Sequence, residues 1–282
     1  MRLLHLTLLY CVMNIFSCDT ALEYPTSTSA KNLKSITANP VASNGVASGA
    51  TNIIFQSKDG GQTWQDISAG LPESEQPQDF FVGETELYLS AGNEMYYSKN
   101  NLKSPVWEKD NVLYPKSTSI DFNRSGVNIV ESEGVLIGKD QKGIKRSTDN
   151  GEHWRWVISE GGVGIAVENI KGGFAAITYN TISKTRRIRI SMDKGKTWKA
   201  IDAGLRPSLS IASIKQVGEY LLCGHPDGIF RSSDMGKTWN MVHSKFNSDK
   251  TPNNLDFTVN KRVFTLYVSG NIVYALLRNG GC

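Results

Sequence analysis

Short runs of alternating apolar and polar residues fill most of this chain, and they fall into sets of four. Gly164–Asn169, Phe174–Thr178, Arg186–Ile190 and Trp198–Asp202 make one set, and Ile211–Gln216, Tyr220–Cys223, Gly228–Arg231 and Trp239–His243 make the next. Two earlier sets are Phe80–Val82, Glu86–Leu89, Glu94–Tyr97 and Val106–Lys109, then Val127–Glu131, Val135–Ile137, Gly143–Arg146 and Trp154–Ile158. Runs of this length, bounded by Gly, Asn and Asp, predict strands joined by hairpins. A first set is predicted at Ser35–Ala38, Gly45–Ser48, Ile53–Gln56 and Trp64–Ile67. At the other end, Arg262–Val268 and Asn271–Leu277 predict the opening strands of a sixth set, before the sequence stops at Cys282.

Between the third and fourth runs of a set the same eight residues return. Ser57–Trp64, Ser147–Trp154, Ser191–Trp198 and Ser232–Trp239 share the pattern S-x-D-x-G-x-T-W, with His153 standing once for Thr. The constant positions are Asp59, Gly61 and Trp64; Asp149, Gly151 and Trp154; Asp193, Gly195 and Trp198; and Asp234, Gly236 and Trp239. Successive tryptophans from Trp154 lie 44 and 41 residues apart, while Trp64 and Trp154 are 90 apart. A degenerate copy therefore belongs between them, and Tyr97-Ser98-Lys99-Asn100-Asn101 leading to Trp107 supplies it. Ile67-Ser68-Ala69-Gly70-Leu71 and Ile201-Asp202-Ala203-Gly204-Leu205 repeat in turn where one set hands over to the next. A period of roughly 40–50 residues built of short strands predicts β-propeller blades.

The box chemistry is that of a turn. An Asp carboxylate accepts bonds from nearby backbone N–H groups, Gly takes a positive φ, and Trp buries a large ring while placing its N–H. These residues resemble the Asp-box, or BNR, repeat of sialidases and of several non-catalytic propellers. The family includes sortilin-like and photosystem II assembly factor-like proteins. The resemblance runs from about Lys31 to the end. It implies an all-β propeller with the boxes on the face away from the ligand site; the repeats themselves give about six four-stranded blades, in a full six-blade ring or with the last blade incomplete. Closure of such a ring needs a strand to cover its open edge, and Leu22–Lys34 is a candidate.

Composition narrows the picture only a little. The chain has 282 residues, 31 Lys and Arg against 27 Asp and Glu, and a formal net charge of +4. So mild a balance speaks against a dedicated nucleic-acid binder. Residues 1–18 have a short positive start at Arg2 and an apolar run, as in a secretory signal. Ile15-Phe16-Ser17-Cys18 resembles a bacterial lipobox, in which Cys18 is lipidated, and it is also compatible with an ordinary cleaved signal. Either reading places the protein outside the cytoplasm, secreted or at the cell envelope, with the membrane touched only through such an anchor. Residues 19–31 read as a linker and 32–282 as the propeller. Cys223 and Cys282 remain downstream of Cys18, and spacing alone does not say whether they meet.

The sequence offers no phosphate loop, paired-Cys spacing or H-E-x-x-H, so neither a metal nor a cofactor is expected. For a sialidase-like activity, the resemblance implies an arginine cluster for a carboxylate, a Tyr nucleophile assisted by Glu, and an acid–base Asp. The family's Arg-Ile-Pro before the first box is missing, because the chain has no Arg between Arg2 and Arg124. The remaining arginines do not fall one to each successive inner strand. The face opposite the boxes is built from loops between second and third strands and from handovers. There Tyr179, Lys184, Arg186, Arg187, Arg206, His225 and Asp227 are the candidate binding residues, with Lys139 and Lys142 extending a basic rim. The expectation is a monomeric, exported, non-catalytic module that binds or scaffolds a protein or glycan. The alternative is a sialidase-like glycoside hydrolase.

Overall fold

The computed structural model describes residues 52–72, 77–99, 105–110, 129–160, 162–244 and 262–279. The chain divides into a unit over Met1–Gly45, which lies outside these residues, and a unit over Val46–Cys282. The strands predicted at Ser35–Ala38 and Gly45–Ser48, the closing candidate Leu22–Lys34, the signal with Cys18, the linker and Cys282 all fall outside the described residues.

Every regular element described is a strand. In chain order, β1 (Ile54–Ser57) and β2 (Gln65–Asp66) flank the first box. Blade 2 is β3 (Pro77–Val82), β4 (Glu86–Ala91), β5 (Glu94–Lys99) and β6 (Glu108–Lys109). Blade 3 is β7 (Ile129–Ser132), β8 (Val135–Asp140), β9 (Gly143–Ser147) and β10 (Arg155–Ile158). Blade 4 is β11 (Gly164–Ile170), β12 (Gly173–Asn180), β13 (Thr185–Ser191) and β14 (Lys199–Ala200). Blade 5 is β15 (Ser213–Val217), β16 (Tyr220–His225), β17 (Gly228–Ser232) and β18 (Asn240–Ser244). The last strands are β19 (Arg262–Ser269) and β20 (Ile272–Asn279).

The end of the chain corrects one expectation. β19 and β20 do not open a sixth blade. β20 pairs antiparallel with β1, matching Ile54 with Leu276 and Phe55 with Ala275, and the sheet runs β19-β20-β1-β2. The two ends of the propeller unit thus share blade 1, and five four-stranded antiparallel sheets stand among the described residues. The physical reason is exposed edge: the two short strands around the first box would otherwise offer unpaired N–H and C=O groups, and β20 covers them.

Period-2 alternation then sorts the side chains of blades 1, 4 and 5 between two neighbouring blades. In blade 1, Ile54, Tyr274 and Leu276 pack with Phe80, Leu87 and Leu89 of blade 2. The intervening Phe55, Val273 and Ala275 pack with Val217, Leu222 and Ile229 of blade 5. In blade 4, Ala175 and Ile177 face Leu221 and Cys223 of blade 5, while Phe174 and Ala176 face Ile137 and Ile144 of blade 3. Both faces of these sheets are buried, so the core is a series of seams and β12 reads as nearly continuous apolar sequence.

The boxes latch the seams. Gly61 has φ +81°, and a Cβ there would lie 2.5 Å from Leu222 Cδ2 of blade 5, so only glycine fits. Beside it Arg231 of β17 donates Nε–H to Gly60 O at 3.0 Å and Nη1–H to Gln62 Oε1 at 2.9 Å. Arg146 of β9 donates in the same way to Lys194 O of the blade 4 box, at 2.6 Å. Two tryptophans tie back to the preceding handover: Trp107 Nε1–H reaches Ile67 O at 2.7 Å and Trp239 Nε1–H reaches Ile201 O at 2.6 Å.

Candidate functional site

The box turns mark one face of the blades and so define the opposite one. In the first box Asp59 Oδ1 accepts Gln62 N–H at 3.0 Å and Oδ2 accepts the Thr63 hydroxyl at 2.5 Å, while Ser57 Oγ accepts Gly61 N–H at 2.9 Å. Asp193 and Asp234 take the same bonds from Thr197 and Thr238. Burial acts to raise the Asp59 pKa, but the hydroxyl and backbone bonds from Thr63, with Ser57 and Gln62, bring it down to about 2. Thr238 and Ser232 hold Asp234 at about 2 as well. His153 stands in for Thr: its Nδ1 lies 2.7 Å from Asp149 Oδ2, the oxygen that Thr hydroxyls occupy elsewhere. Glu152 completes an exposed group of potential metal-ligand atoms there. Both Asp149 oxygens already serve the turn.

On the opposite face, between the start of β13 and the handover that follows β14, lies an open pocket of about 580 Å³. Ser183, Thr185, Arg186, Arg187, Asp202 and Arg206 supply its polar lining, and Ala203, Leu205, Pro207 and Ile211 its apolar part. The hairpin side is set by Asn180, whose Oδ1 accepts the N–H groups of Ile182 and Ser183, both at 2.9 Å. The handover is pinned to β13 by Arg186, which donates its backbone N–H to Ser208 O at 2.7 Å and Nη1–H to Ile211 O at 2.8 Å.

Two arginines of the pocket are each clamped by an aspartate. Arg187 gives Nε–H to Asp202 Oδ2 at 2.6 Å and Nη2–H to Asp202 Oδ1 at 3.0 Å. Arg206 forks onto Asp227 with Nε–H to Oδ2 at 2.9 Å and Nη2–H to Oδ1. Such bidentate pairs fix the guanidinium plane, and hydrogen bonding to the partner aspartate raises the pKa of each arginine further. Neither clamp uses Nη1. Arg187 and Arg206 keep 42% and 68% of their side-chain surface exposed, so both have donors for a ligand.

The sequence-predicted candidates divide. Arg186, Arg187 and Arg206 line the pocket, and Asp227 positions Arg206. Lys184 is exposed in the hairpin turn at φ +52°. Tyr179 is half-buried on β12, with its backbone bonded to Val163, and is not part of the lining. His225, expected on the rim, is fully buried. Its Nε2 bonds Arg206 O at 2.8 Å and its Nδ1 accepts Asp227 N–H at 3.1 Å, so it ties the two loops together. Burial depresses its pKa, and the Arg206 charge adds to this. Lys139, taken for rim, reaches Ile165 O at 3.2 Å, and burial lowers its pKa. Sequence reasoning missed Asp202. The signal was present in the handover repeat, where Asp202 replaces Ser68. Ser68 Oγ caps Ile54 N–H at 3.0 Å, and Asp202 reaches the equivalent Ile188 N–H at 3.4 Å while also catching Arg187.

Among the described residues, five four-stranded antiparallel sheets, packed blade 2 on 1, 1 on 5, 5 on 4 and 4 on 3, with the last described strands joined to the first, define a β-propeller. No protein-family model matches the chain, and no curated protein matches it. Among solved structures it is similar to a GH74 xyloglucanase from Xanthomonas campestris, at TM-score 0.34 and 13% identity, over 78% of this chain and 40% of that one. It is similar to the Hadza microbial sialidase Hz136 at TM-score 0.28 and 16% identity, over 80% and 58%. It is also similar to PorZ, a surface component of the type-IX secretion system of Porphyromonas gingivalis, at TM-score 0.33 and 11% identity, over 60% and 28%. The chain spans less than two thirds of each of these structures. Likeness at this level says nothing of activity or ligand.

Proposed function

We propose that the protein is an exported, non-catalytic propeller that binds a protein or glycan partner through the face opposite the boxes. The supporting observation is the use of two carboxylates, Asp202 in the pocket lining and Asp227 on the lining residue Arg206. Asp202 and Asp227 both spend their two oxygens on orienting arginines. Glycoside hydrolysis needs a carboxyl that exchanges a proton with the leaving group and a second group that attacks or activates water. Clamped aspartates serve neither purpose, whereas arginines pre-set in this way are donors whose ordering cost is already met before a ligand arrives. Export rests on the signal-like residues 1–18, with Cys18 as the anchor point if it is lipidated.

The test is a screen of the purified protein against glycan and peptide arrays, with a fluorogenic sialoside in the same plate. Binding without turnover supports the module. Turnover of the sialoside contradicts it and turns attention to a glycoside hydrolase.

A further inference from the structure

Two large apolar side chains next in sequence to lining residues of the pocket stay outside the blade core. Ile182, beside Ser183 in the β12–β13 turn, is 88% exposed, and Leu209, between Pro207 and Ile211 on the handover, is 53% exposed. Hydrogen bonds accepted by Asn180 Oδ1 and donated by the Arg186 backbone N–H hold both segments in place, so neither residue sits on a dangling loop. Arg187, Arg206 and Asp202 line the pocket together with the buried Arg186, and Asp227 holds Arg206 from outside the lining, so basic side chains outnumber acidic ones in the lining. Aliphatic side chains beside fixed arginines match the centre of a protein interface, where Arg is enriched and apolar contact supplies most of the binding energy. A sugar site is built differently, with rings as stacking platforms, and no aromatic side chain lines this pocket.

We propose that this pocket, resting on the binding-module reading above, docks a protein segment that presents a carboxylate flanked by aliphatic side chains. The carboxylate, from Asp, Glu or a chain end, lies against the Nη1 groups of Arg187 and Arg206. The flanking side chains cover Ile182 and Leu209. Charge complementarity selects the acidic residue, and the aliphatic contact distinguishes such a segment from an acidic glycan.

The experiment selects a phage-displayed random peptide library on the full chain and titrates the enriched peptides in solution, beside oligouronates and neutral oligosaccharides. Variants are Ile182→Ser with Leu209→Ser, which alter exposed side chains only, and Arg187→Lys and Arg206→Lys, which keep charge and lose the fork. The expected result is enrichment of peptides with Asp or Glu next to Leu, Ile or Val. Their affinity should fall at least tenfold in the double serine variant, and severalfold in each lysine variant and on raising the salt. Enriched peptides without an acidic residue, or unchanged affinity in the serine variant, overturn the proposal. Oligouronate binding that is lost in the lysine variants but indifferent to the serine pair also overturns it, while leaving the binding module in place. If peptides and glycans all fail to bind, both readings fall.

Discussion

Replacing Phe264 by alanine strikes the seam where the end of the propeller unit meets its beginning. The ring is fully buried on β19, edge-on to Phe55 at 5.8 Å and to His243 at 5.5 Å, and clustered with Val217, Leu222 and Ile229 of blade 5. A ring of this kind buries ~150–250 Å², which at ~25 cal/mol per Å² is about 4–6 kcal/mol gross. The Cβ that alanine keeps, and partial collapse of the cavity, bring the expected loss to about 3–5 kcal/mol. Against a total of about 5–15 kcal/mol for a typical domain, that is a large fraction. In urea, with an m-value of about 3 kcal/mol per M, the midpoint should move down by about 1–1.7 M at unchanged m. Tryptophan fluorescence reads it, since Trp64 packs on the same cluster. Phe81→Ala, at a ring 41% exposed on β3, is the control and should cost less than about 1 kcal/mol. A loss at Phe264 no larger than at Phe81 would refute the idea that β19 is integral to the closed sheet.

Other outcomes follow from the same geometry. Gly224→Ala places a Cβ against the Phe264 carbonyl and 2.6 Å from Ser213 Oγ, so it should destabilise by about 1–3 kcal/mol through overpacking, measurable as a lower Tm. The His225 pKa is depressed in the fold. The stability that its neutral form contributes is therefore present above the unfolded value of 6.5, and is lost as pH falls through that value toward the depressed one. A melting series from pH 7.5 to 5 should show this loss, and His225→Gln should reduce it, leaving the part due to His243, whose pKa burial also lowers. Asp59 and Asp234, held at about 2, add a second loss as pH falls from about 4 toward 2. Circular dichroism during acid titration should show that step, and it should shrink in Asp59→Asn. Asp202→Asn keeps the shape but weakens the clamp on Arg187, so it should reduce binding of any acidic ligand severalfold with the fold intact, as read by calorimetry.

Much of the fold was legible because its signals are local. Each box lies within eight residues, and its Asp, Gly and Thr act on one another inside the turn. The strands of blades 2 to 5 follow the alternation closely, with bounds that shift by a few residues. The closure was not legible. Arg262–Leu277 shows the same alternation whether it starts a blade or completes one, and only pairing across the chain, Ile54 with Leu276, decides. The site was legible by half for a similar reason. Arg187 and Arg206 stand out as exposed bases, but their partners Asp202 and Asp227 lie 15 and 21 residues away across loops. His225 looked like a rim residue because polar loop residues usually are; here two backbone groups satisfy both its nitrogens and allow it to be buried.

Hydrogen exchange with and without a ligand from the array screen tests most directly whether the face opposite the boxes is the one that binds. Binding at the pocket should slow exchange over Asn180–Arg187 and Ala200–Ile211 and leave the box segments Ser191–Trp198 and Ser232–Trp239 unchanged. Protection confined to the boxes, with none at the pocket, would contradict it.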